Sequence, residues 1–353
     1  MDKRLQELEN WVRAQMLSDN VQATSVSPLT MVSGDASFRR YFRTQVEFAD
    51  AEPVSLIAVD APADKEDNPS FVRIAEAFKA HGVNVPDIFA ADFREGFLLL
   101  SDFGDTLLLA VLNPDNVQQY YDRALSDLAI LQQTSFAESL PPYDEALLMR
   151  EMHLFPDWLI TRYLEIELSD LEQQMLEAAF HYLRDQALSQ PQVIVHRDYH
   201  ARNIMVLEGD NLGYIDFQDA VFGPITYDLV SLVRDCYVRW SPEFVNQWVL
   251  AFQEKLSSCG FMAPVSEARF MHWVNTMGAQ RHLKAAGIFA RLFLRDGKPG
   301  YLKDIPRTLN YIREEIIGIA ALDDFAHFID SRVVPALCAK DSEAKDFFTL
   351  STV

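Results

Sequence analysis

Apolar residues recur at helical spacing through most of the chain, but shorter strand-like runs replace that spacing in its N-terminal part. The runs at 38–46, 54–59 and 96–104 are rich in β-branched or aromatic residues and are bounded by turn residues. Residues 2–17 and 68–81 have the spacing of amphipathic helices. We therefore predict an α+β fold, with an antiparallel sheet plus helix first and a mainly helical region after it.

A polar loop between apolar runs lies near the middle of the chain. Residues 193–206 are predicted to form a strand, a loop and a second strand, and residues 213–218 a strand that ends in an acid. The loop contains His-Arg-Asp at 196–198, Asn203 follows five residues after the Asp, and Asp216 follows thirteen residues after the Asn. A hairpin joining the two later strands would bring Asn203 and Asp216 close together at its open end.

Phosphoryl transfer requires this combination of side chains. One carboxylate accepts the proton of the attacking hydroxyl, while an Asn and a second carboxylate hold Mg²⁺ against the nucleotide phosphates. The alternative is a buried Asp and Asn that only cap a turn. Apolar strands flank both polar clusters, as the catalytic motif requires, and this favours the catalytic interpretation.

Length, net charge and cysteine content indicate the number of lobes, the classes of partner and the compartment. At 353 residues the chain exceeds the usual size of one core, so we expect two lobes, an N-lobe at 1–102 and a C-lobe at 103–353. The net charge of −21 opposes broad contact with nucleic acid or an anionic membrane surface. Three scattered cysteines and the absence of a secretory or membrane-spanning apolar run indicate a cytoplasmic protein. No obligate protein partner is evident.

A small-residue turn interrupts the first predicted strand pair. A strand, such a turn and a returning strand can lay backbone N–H groups over triphosphate oxygens, although an ordinary hairpin turn has the same pattern. The catalytic motif later in the chain favours the nucleotide interpretation. The turn residues are Ser33, Gly34, Asp35, Ala36 and Ser37.

The strand at 54–59 ends without the lysine that protein kinases use to pair the α- and β-phosphates, because Asp60 stands there. Either another cation reaches the phosphates or the protein cannot catalyse. Arg40, Arg43 and Lys65 are the candidate cations, and an Arg fork could replace a Lys point charge with different geometry.

The run at 96–104 is where a hinge between lobes should face the adenine, which makes Leu100 and Asp102 candidate nucleotide contacts. Asp102-Phe103-Gly104 also has the same sequence as the metal-binding Asp-Phe-Gly motif of protein kinases. It precedes the His-Arg-Asp loop instead of following it, so we assign the metal role to Asp216.

Two features follow the catalytic stretch. Asp228, after a Gly-Pro turn, begins an apolar helix, where it could cap the helix or accept hydrogen bonds from the catalytic loop. The segment 269–294 is locally basic in an acidic chain, and it either pairs with acids elsewhere or faces the substrate.

These motifs resemble the aminoglycoside/choline phosphotransferase family, which has a protein-kinase-like two-lobe fold. The resemblance rests on residues 196–203, 214–217 and 223–229. Four further stretches resemble a bacterial subgroup that phosphorylates the anomeric C1 hydroxyl of N-acetylmuramate and N-acetylglucosamine in cell-wall recycling. They are residues 34–43, 60–62, 280–289 and 295–298.

The resemblance implies an ATP- and Mg²⁺-dependent kinase of a small amino sugar. It makes Asp198 the catalytic base, Asn203 and Asp216 the Mg²⁺ ligands, and His200 a group near the γ-phosphate. Competing interpretations are a kinase of the same fold acting on an aminoglycoside or a choline-like amine, and a nucleotide-binding pseudokinase. The remaining candidates are Arg202, Arg281 and His282 for the sugar, and His196 and Asp228 as structural support.

Overall fold

The computed structural model describes residues 2–18, 21, 23–34, 38–133, 140–258 and 260–349. Within these residues the strands are short and the helices account for most of the chain, as the apolar spacing predicts. In chain order the strands are β1 (Ala23–Val26), β2 (Thr30–Gly34), β3 (Arg40–Phe48), β4 (Val54–Asp60), β5 (Ile88–Asp92), β6 (Phe97–Ser101), β7 (Gln192–Val195), β8 (Ile204–Val206), β9 (Leu212–Tyr214) and β10 (Val221–Pro224).

Side-chain caps begin several of the helices. The Ser169 side chain and Glu172 form a reciprocal capping box at the start of one long helix, and Asp2 caps the first helix through Leu5. Two stretches, Phe155–Tyr163 and Ile329–Val333, are π-helical. The α-helices are α1 (Lys3–Met16), α2 (Asn68–Ala80), α3 (Leu108–Val111), α4 (Val117–Gln132), α5 (Glu145–Met152), α6 (Asp170–Leu188), α7 (Tyr227–Val233), α8 (Pro242–Ser258), α9 (Glu267–Asp296), α10 (Ile305–Ile316), α11 (Asp323–Phe328), α12 (Val334–Lys340) and α13 (Lys345–Thr349).

The first compact unit comprises Met1–Val111 and Arg202–Asp219. Its described strands form an antiparallel sheet in the order β1-β3-β4-β6-β5, with β2 pairing β3. α1 buries Leu8 and Val12 against a sheet core that includes Phe42 and Val46. The predicted antiparallel sheet plus helix is therefore present in this unit.

The β8–β9 hairpin belongs to the first unit, so the division differs from the predicted boundary after residue 102. Its backbone is hydrogen-bonded there: Val206 N–H donates to the Thr106 carbonyl and Tyr214 N–H to the Asn84 carbonyl, both at 2.8 Å. The Phe217 ring lies 4.9 Å from the Phe71 ring of α2. These contacts hold a segment distant in sequence on the N-terminal unit.

The second unit comprises Leu112–Ala201 and Ala220–Val353 and is mainly helical. Its apolar core is built around α9, a 30-residue helix with buried residues on several sides. β7 pairs antiparallel with β10, which places the chain entering the catalytic loop beside the chain leaving the hairpin. None of the described helices is long and apolar enough to cross a membrane.

Candidate functional site

The polar loop after β7 is held by a buried carboxylate in the second unit. Asp228 Oδ2 accepts the His196 N–H at 2.6 Å, and its Oδ1 accepts the Arg197 N–H at 3.0 Å. Arg197 has a φ of +77°, a left-handed conformation that costs a non-glycine residue energy unless its surroundings fix it. Of the two roles expected for Asp228, the structure shows the hydrogen bonds to the loop.

Burial raises the pKa of Asp228 to about 7, although the two N–H donors of the loop act in the opposite direction. The carboxyl is fully buried, so its negative charge loses most of its hydration. From this position the carboxyl orders the backbone of the loop that contains Asp198.

Two further contacts in the second unit fix the same loop. The Tyr199 hydroxyl donates to the Ala124 carbonyl at 2.7 Å, and the Ala201 N–H donates to Asp235 Oδ2 at 2.9 Å. The His200 ring meets the Tyr237 ring edge-on at 5.3 Å. Asp198 is therefore in a loop anchored on both sides, which suits a group that must be pre-positioned for catalysis.

A buried network of charged side chains surrounds Asp198. Glu151 Oε1 accepts Arg197 Nη2 at 2.5 Å and lies 3.2 Å from Lys284 Nζ, which also donates to the Tyr227 hydroxyl at 3.0 Å. Burial opposes ionisation of Asp198, but the positive charges of Lys284, His200 and Arg197 outweigh it and hold the Asp198 pKa below its ordinary value. The carboxylate is thus kept ionised and able to accept a proton.

Lys284 belongs to the basic segment that was expected either to pair with acids or to face the substrate, but its effect on Asp198 was not predicted. Burial lowers the pKa of Lys284, but the negative charge of Glu151 and the interaction with Tyr227 together hold it above the ordinary lysine value. The signal that could have identified it is its place in the basic segment 269–294, but the sequence does not reveal that its partner is Glu151, more than a hundred residues away.

The other two predicted residues of α9 are buried. The His282 side chain is fully buried, with Nδ1 2.8 Å from Glu315 Oε2 and Nε2 2.9 Å from the Arg234 carbonyl. Both ring nitrogens are therefore occupied inside the unit, and His282 supports α9 instead of facing a sugar. Arg281 is 6% exposed, and its Nη1 lies 3.8 Å from Cys236 Sγ.

The first unit contains the predicted metal ligands. Asn203 Nδ2 donates to Asp216 Oδ2 at 3.2 Å across the β8–β9 hairpin, and the Ile215 N–H donates to the Asn203 carbonyl at 3.1 Å. Gln218 Nε2 donates to Asp216 Oδ1 at 2.7 Å. The hairpin thus brings Asn203 and Asp216 together, and Arg202, half-buried, immediately precedes them in the chain.

These side chains fit a hard divalent ion. An amide oxygen and a carboxylate side by side are oxygen donors of the kind that Mg²⁺ takes, and two protein ligands leave room for phosphate oxygens and water. Asp216 has a φ of +65°, so its backbone also adopts the left-handed conformation. Strain of this kind is typical of functional sites.

The predicted phosphate-binding turn is described only in part. Ser33 and Gly34 end β2 and pair with Tyr41 and Arg40 of β3. Asp35, Ala36 and Ser37 lie outside the described residues. Leu100 is buried in β6, where it pairs with Ile57 and Ile88.

Asp102 and Arg43 contact each other. Arg43 Nε and Nη2 donate to the Asp102 carboxylate at 2.6 and 3.0 Å, and Arg43 also bonds Asp105 at 2.9 Å. The Ser55 hydroxyl donates to Asp102 at 2.5 Å. Arg43 and Asp105 line a cavity of about 400 Å³ with Thr30.

The string Asp102-Phe103-Gly104 has a packing role in the first unit. A Cβ on Gly213 of β9 would lie 2.6 Å from the Phe103 ring, so only glycine allows this close approach. The contacts of Asp102 and the packing of Phe103 account for these residues without a role in metal binding.

Comparison with known proteins identifies relatives along nearly the whole chain. Residues 28–261 match the model of a phosphotransferase enzyme family. The chain is 41% identical over 334 residues to an N-acetylmuramate/N-acetylglucosamine kinase of Pseudomonas aeruginosa, covering 94% of this chain and 97% of the relative. It is 39% identical to the enzyme of that name from Neisseria meningitidis serogroup B, covering 87% and 89%.

Solved structures with little sequence identity share the fold. An ADP-bound aminoglycoside phosphotransferase is 14% identical and has a TM-score of 0.55, over 90% of this chain and 100% of the other. At that identity the likeness supports the fold alone, and it agrees with the predicted α+β architecture.

Proposed function

The chain belongs to the phosphotransferase enzyme family, and from this premise we propose that it is an ATP-dependent kinase of N-acetylmuramate and N-acetylglucosamine. The observation that carries the proposal is the 41% identity to a kinase of that name over 97% of the relative's length. The phosphate goes to a hydroxyl of the amino sugar, and we propose the anomeric C1 hydroxyl as the acceptor.

Asp198 is the proposed proton acceptor for that hydroxyl. An anomeric hydroxyl is more acidic than an ordinary alcohol, so a carboxylate that orients it and takes the proton late is sufficient. The lowered Asp198 pKa supports this role, because the group must be ionised before the reaction. The hydrogen bonds from His196 and Arg197 to Asp228 hold the loop in which it lies.

Asn203 and Asp216 are the proposed Mg²⁺ ligands. When bound, Mg²⁺ would neutralise charge on the phosphoryl oxygens of the nucleotide. The Gln218 hydrogen bond to Asp216 Oδ1 orients the carboxylate, and the β8–β9 pairing orients Asn203. His200, two residues after the base, is proposed to lie near the γ-phosphate.

On the acceptor side we propose that Arg281 favours the lactyl carboxylate of N-acetylmuramate, and Arg202 stays a candidate for a sugar contact. The observation behind this is the positive charge of α9 near Asp198. Arg281→Gln should raise KM for N-acetylmuramate several-fold more than KM for neutral N-acetylglucosamine. Equal effects on the two sugars would remove this part of the proposal.

The alternatives are weaker. A kinase of aminoglycosides or choline-like amines is favoured only by fold likeness at about the 14% identity level. A pseudokinase is favoured only by Asp60 at the lysine position. The use of ATP and a small sugar fits a cytoplasmic enzyme.

The first experiment measures ADP release with Mg-ATP and, in separate reactions, N-acetylmuramate, N-acetylglucosamine, an aminoglycoside or choline. The reducing end of each sugar is assayed in parallel. ADP release with loss of the reducing end supports C1 phosphorylation, and Asp198→Ala should abolish it. ADP release with the amines alone would move the proposal to the second alternative, and no turnover with any acceptor would favour the third.

A further inference from the structure

The lysine position at the end of β4 is filled by a carboxylate that is already neutralised within the first unit. Asp60 is 1% exposed, accepts Arg40 Nε at 3.0 Å and is ion-paired with Arg4 of α1. Arg40 also bonds Asp2, the N-cap of α1. Arg40 therefore fastens α1 to the sheet, and its charge is balanced by Asp60 and Asp2.

Of the other two candidate cations, one is also paired with carboxylates and the other lies on the surface. Arg43 is shared between the carboxylates of Asp102 and Asp105. Lys65 has a side chain 49% exposed, 3.3 Å from Asp64. None of these contacts orients a cation toward the Asp216 segment.

Arg39 does point toward that segment. Its guanidinium lies 5.4 Å from the centroid of the Phe71 ring on α2, and the Phe71 ring lies 4.9 Å from the Phe217 ring. Phe217 is the residue after Asp216. A continuous stack of three side chains thus leads from Arg39 to the neighbour of the proposed metal ligand, entirely inside the first unit.

The direction of Arg39 differs from that of Arg40 although the two are adjacent. Arg40 turns to α1, where it bonds Asp2, and Arg39 turns to α2, where it stacks on Phe71. Successive side chains on an extended chain point to opposite sides, which explains the divergence. From the sequence, this alternation of side-chain direction is the one feature that distinguishes Arg39 from Arg40.

Glu66, in the turn that precedes α2, fixes Arg39. Its Oε2 lies 3.2 Å from Arg39 Nη2, with the Arg39 side chain 4% and the Glu66 side chain 13% exposed. Its Oε1 accepts the Phe38 N–H at 3.2 Å, so the carboxylate also holds the backbone just before Arg39. In protein kinases a helix glutamate holds the phosphate-binding lysine in a comparable way.

We propose that Arg39, positioned by Glu66, contacts the α- or β-phosphate of the nucleotide and replaces the missing lysine. This rests on the proposed kinase function. A guanidinium presents five donors in a planar fork, so one Arg can bridge a carboxylate and a phosphate. Glu66 is a positioning residue in this scheme, and Arg39 is the nucleotide contact.

The test compares the binding of ADP and of adenosine by calorimetry in buffer with EDTA, so that the metal ligands do not contribute. Arg39→Ala should weaken ADP binding about 10- to 100-fold, the range for a lost charge-assisted hydrogen bond, and leave adenosine binding unchanged. Arg39→Lys should restore part of the ADP affinity. Arg73→Ala, an exposed residue of α2 with the same change of charge, is the matched control and should bind both like wild type.

Equal weakening of ADP and adenosine by Arg39→Ala, or unchanged ADP binding in a variant that melts cooperatively, would overturn the proposal. Should Arg39→Ala not fold, Glu66→Gln decides, because it keeps the guanidinium and removes its anchor. A selective loss of ADP binding then supports the proposal and an equal loss of both ligands refutes it. If wild type binds neither ligand, both titrations are repeated with Mg²⁺, and wild type that still binds neither would refute the kinase function itself.

Discussion

The carboxylate of Asp228 accepts the backbone N–H of His196 at 2.6 Å, so a residue 32 positions later in the chain sets the start of the catalytic loop. The same carboxylate bonds the Arg197 N–H, where φ is positive. The conformation at the start of the loop therefore depends on one carboxylate that presents two oxygens.

Asp228→Asn should lower kcat about 10- to 100-fold while changing KM for ATP little. The amide places an NH₂ donor against one of the two loop N–H groups, and a buried charge-assisted hydrogen bond contributes about 1.5–3 kcal/mol. Steady-state kinetics of the purified variant measure this. Ser231→Ala on the same helix is the control. The buried Ser231 hydroxyl has no hydrogen-bond partner among the described residues, so its removal should leave kcat and stability near wild type.

Lys284→Met should shift the acidic limb of the kcat/KM profile to higher pH. Lys284 supplies the positive charge that lowers the Asp198 pKa most, so its removal raises that pKa, and activity that needs the ionised carboxylate then begins at a higher pH. The pH–rate profiles of wild type and variant give the shift directly. Lys303→Met removes the same charge from an exposed position and should leave the limb in place. An unmoved limb in Lys284→Met would contradict the assignment of Asp198 as the proton acceptor.

Sequence reasoning identified the local features of the fold and of the site because they depend on neighbours in the chain. The amphipathic helices and the hairpin that joins Asn203 to Asp216 are of this kind. Each follows from periodicity, turn chemistry or spacing within about twenty residues.

The features that the sequence did not reveal depend on long-range packing. Arg39 and Arg40 are indistinguishable by residue type, and only the contacts with Phe71 and Asp60 separate them. The basic residues of α9 left open whether they pair with acids elsewhere or face the substrate; other helices surround α9, and His282 is buried with Glu315. The pattern of charge along a central helix does not give the direction of its side chains.

Asp216→Asn should raise the Mg²⁺ concentration needed for half-maximal turnover by at least about tenfold. The amide removes the negative charge that attracts a hard cation and leaves one neutral oxygen. Titrating Mg²⁺ at fixed ATP and sugar measures the change. Glu208→Gln, an exposed acid between β8 and β9, loses the same charge away from Asn203 and should titrate like wild type. Identical Mg²⁺ curves for Asp216→Asn and wild type would remove Asp216 as a metal ligand.

The stability of the second unit should fall as pH rises into the alkaline range because of His282. Burial lowers the pKa of His282, but the charge of Glu315 together with hydrogen bonds to Cys236 and Glu315 outweighs it and raises the pKa to about 9 from an ordinary 6.5. A histidine whose pKa is raised on folding stabilises fully below its unfolded pKa and loses that contribution as pH rises through its folded pKa. The loss between these two pKa values amounts to about 3 kcal/mol, since each pKa unit corresponds to about 1.4 kcal/mol.

Urea unfolding at several pH values between about 6 and 10 tests this. Wild type should lose stability across the window, and His282→Asn, though less stable at low pH, should show a flatter profile. His272→Asn is the matched control: burial lowers the pKa of His272, so its titration lies below the window and the alkaline fall should persist. A His282→Asn profile parallel to that of wild type would mean that the buried His282–Glu315 pair does not keep its proton at neutral pH.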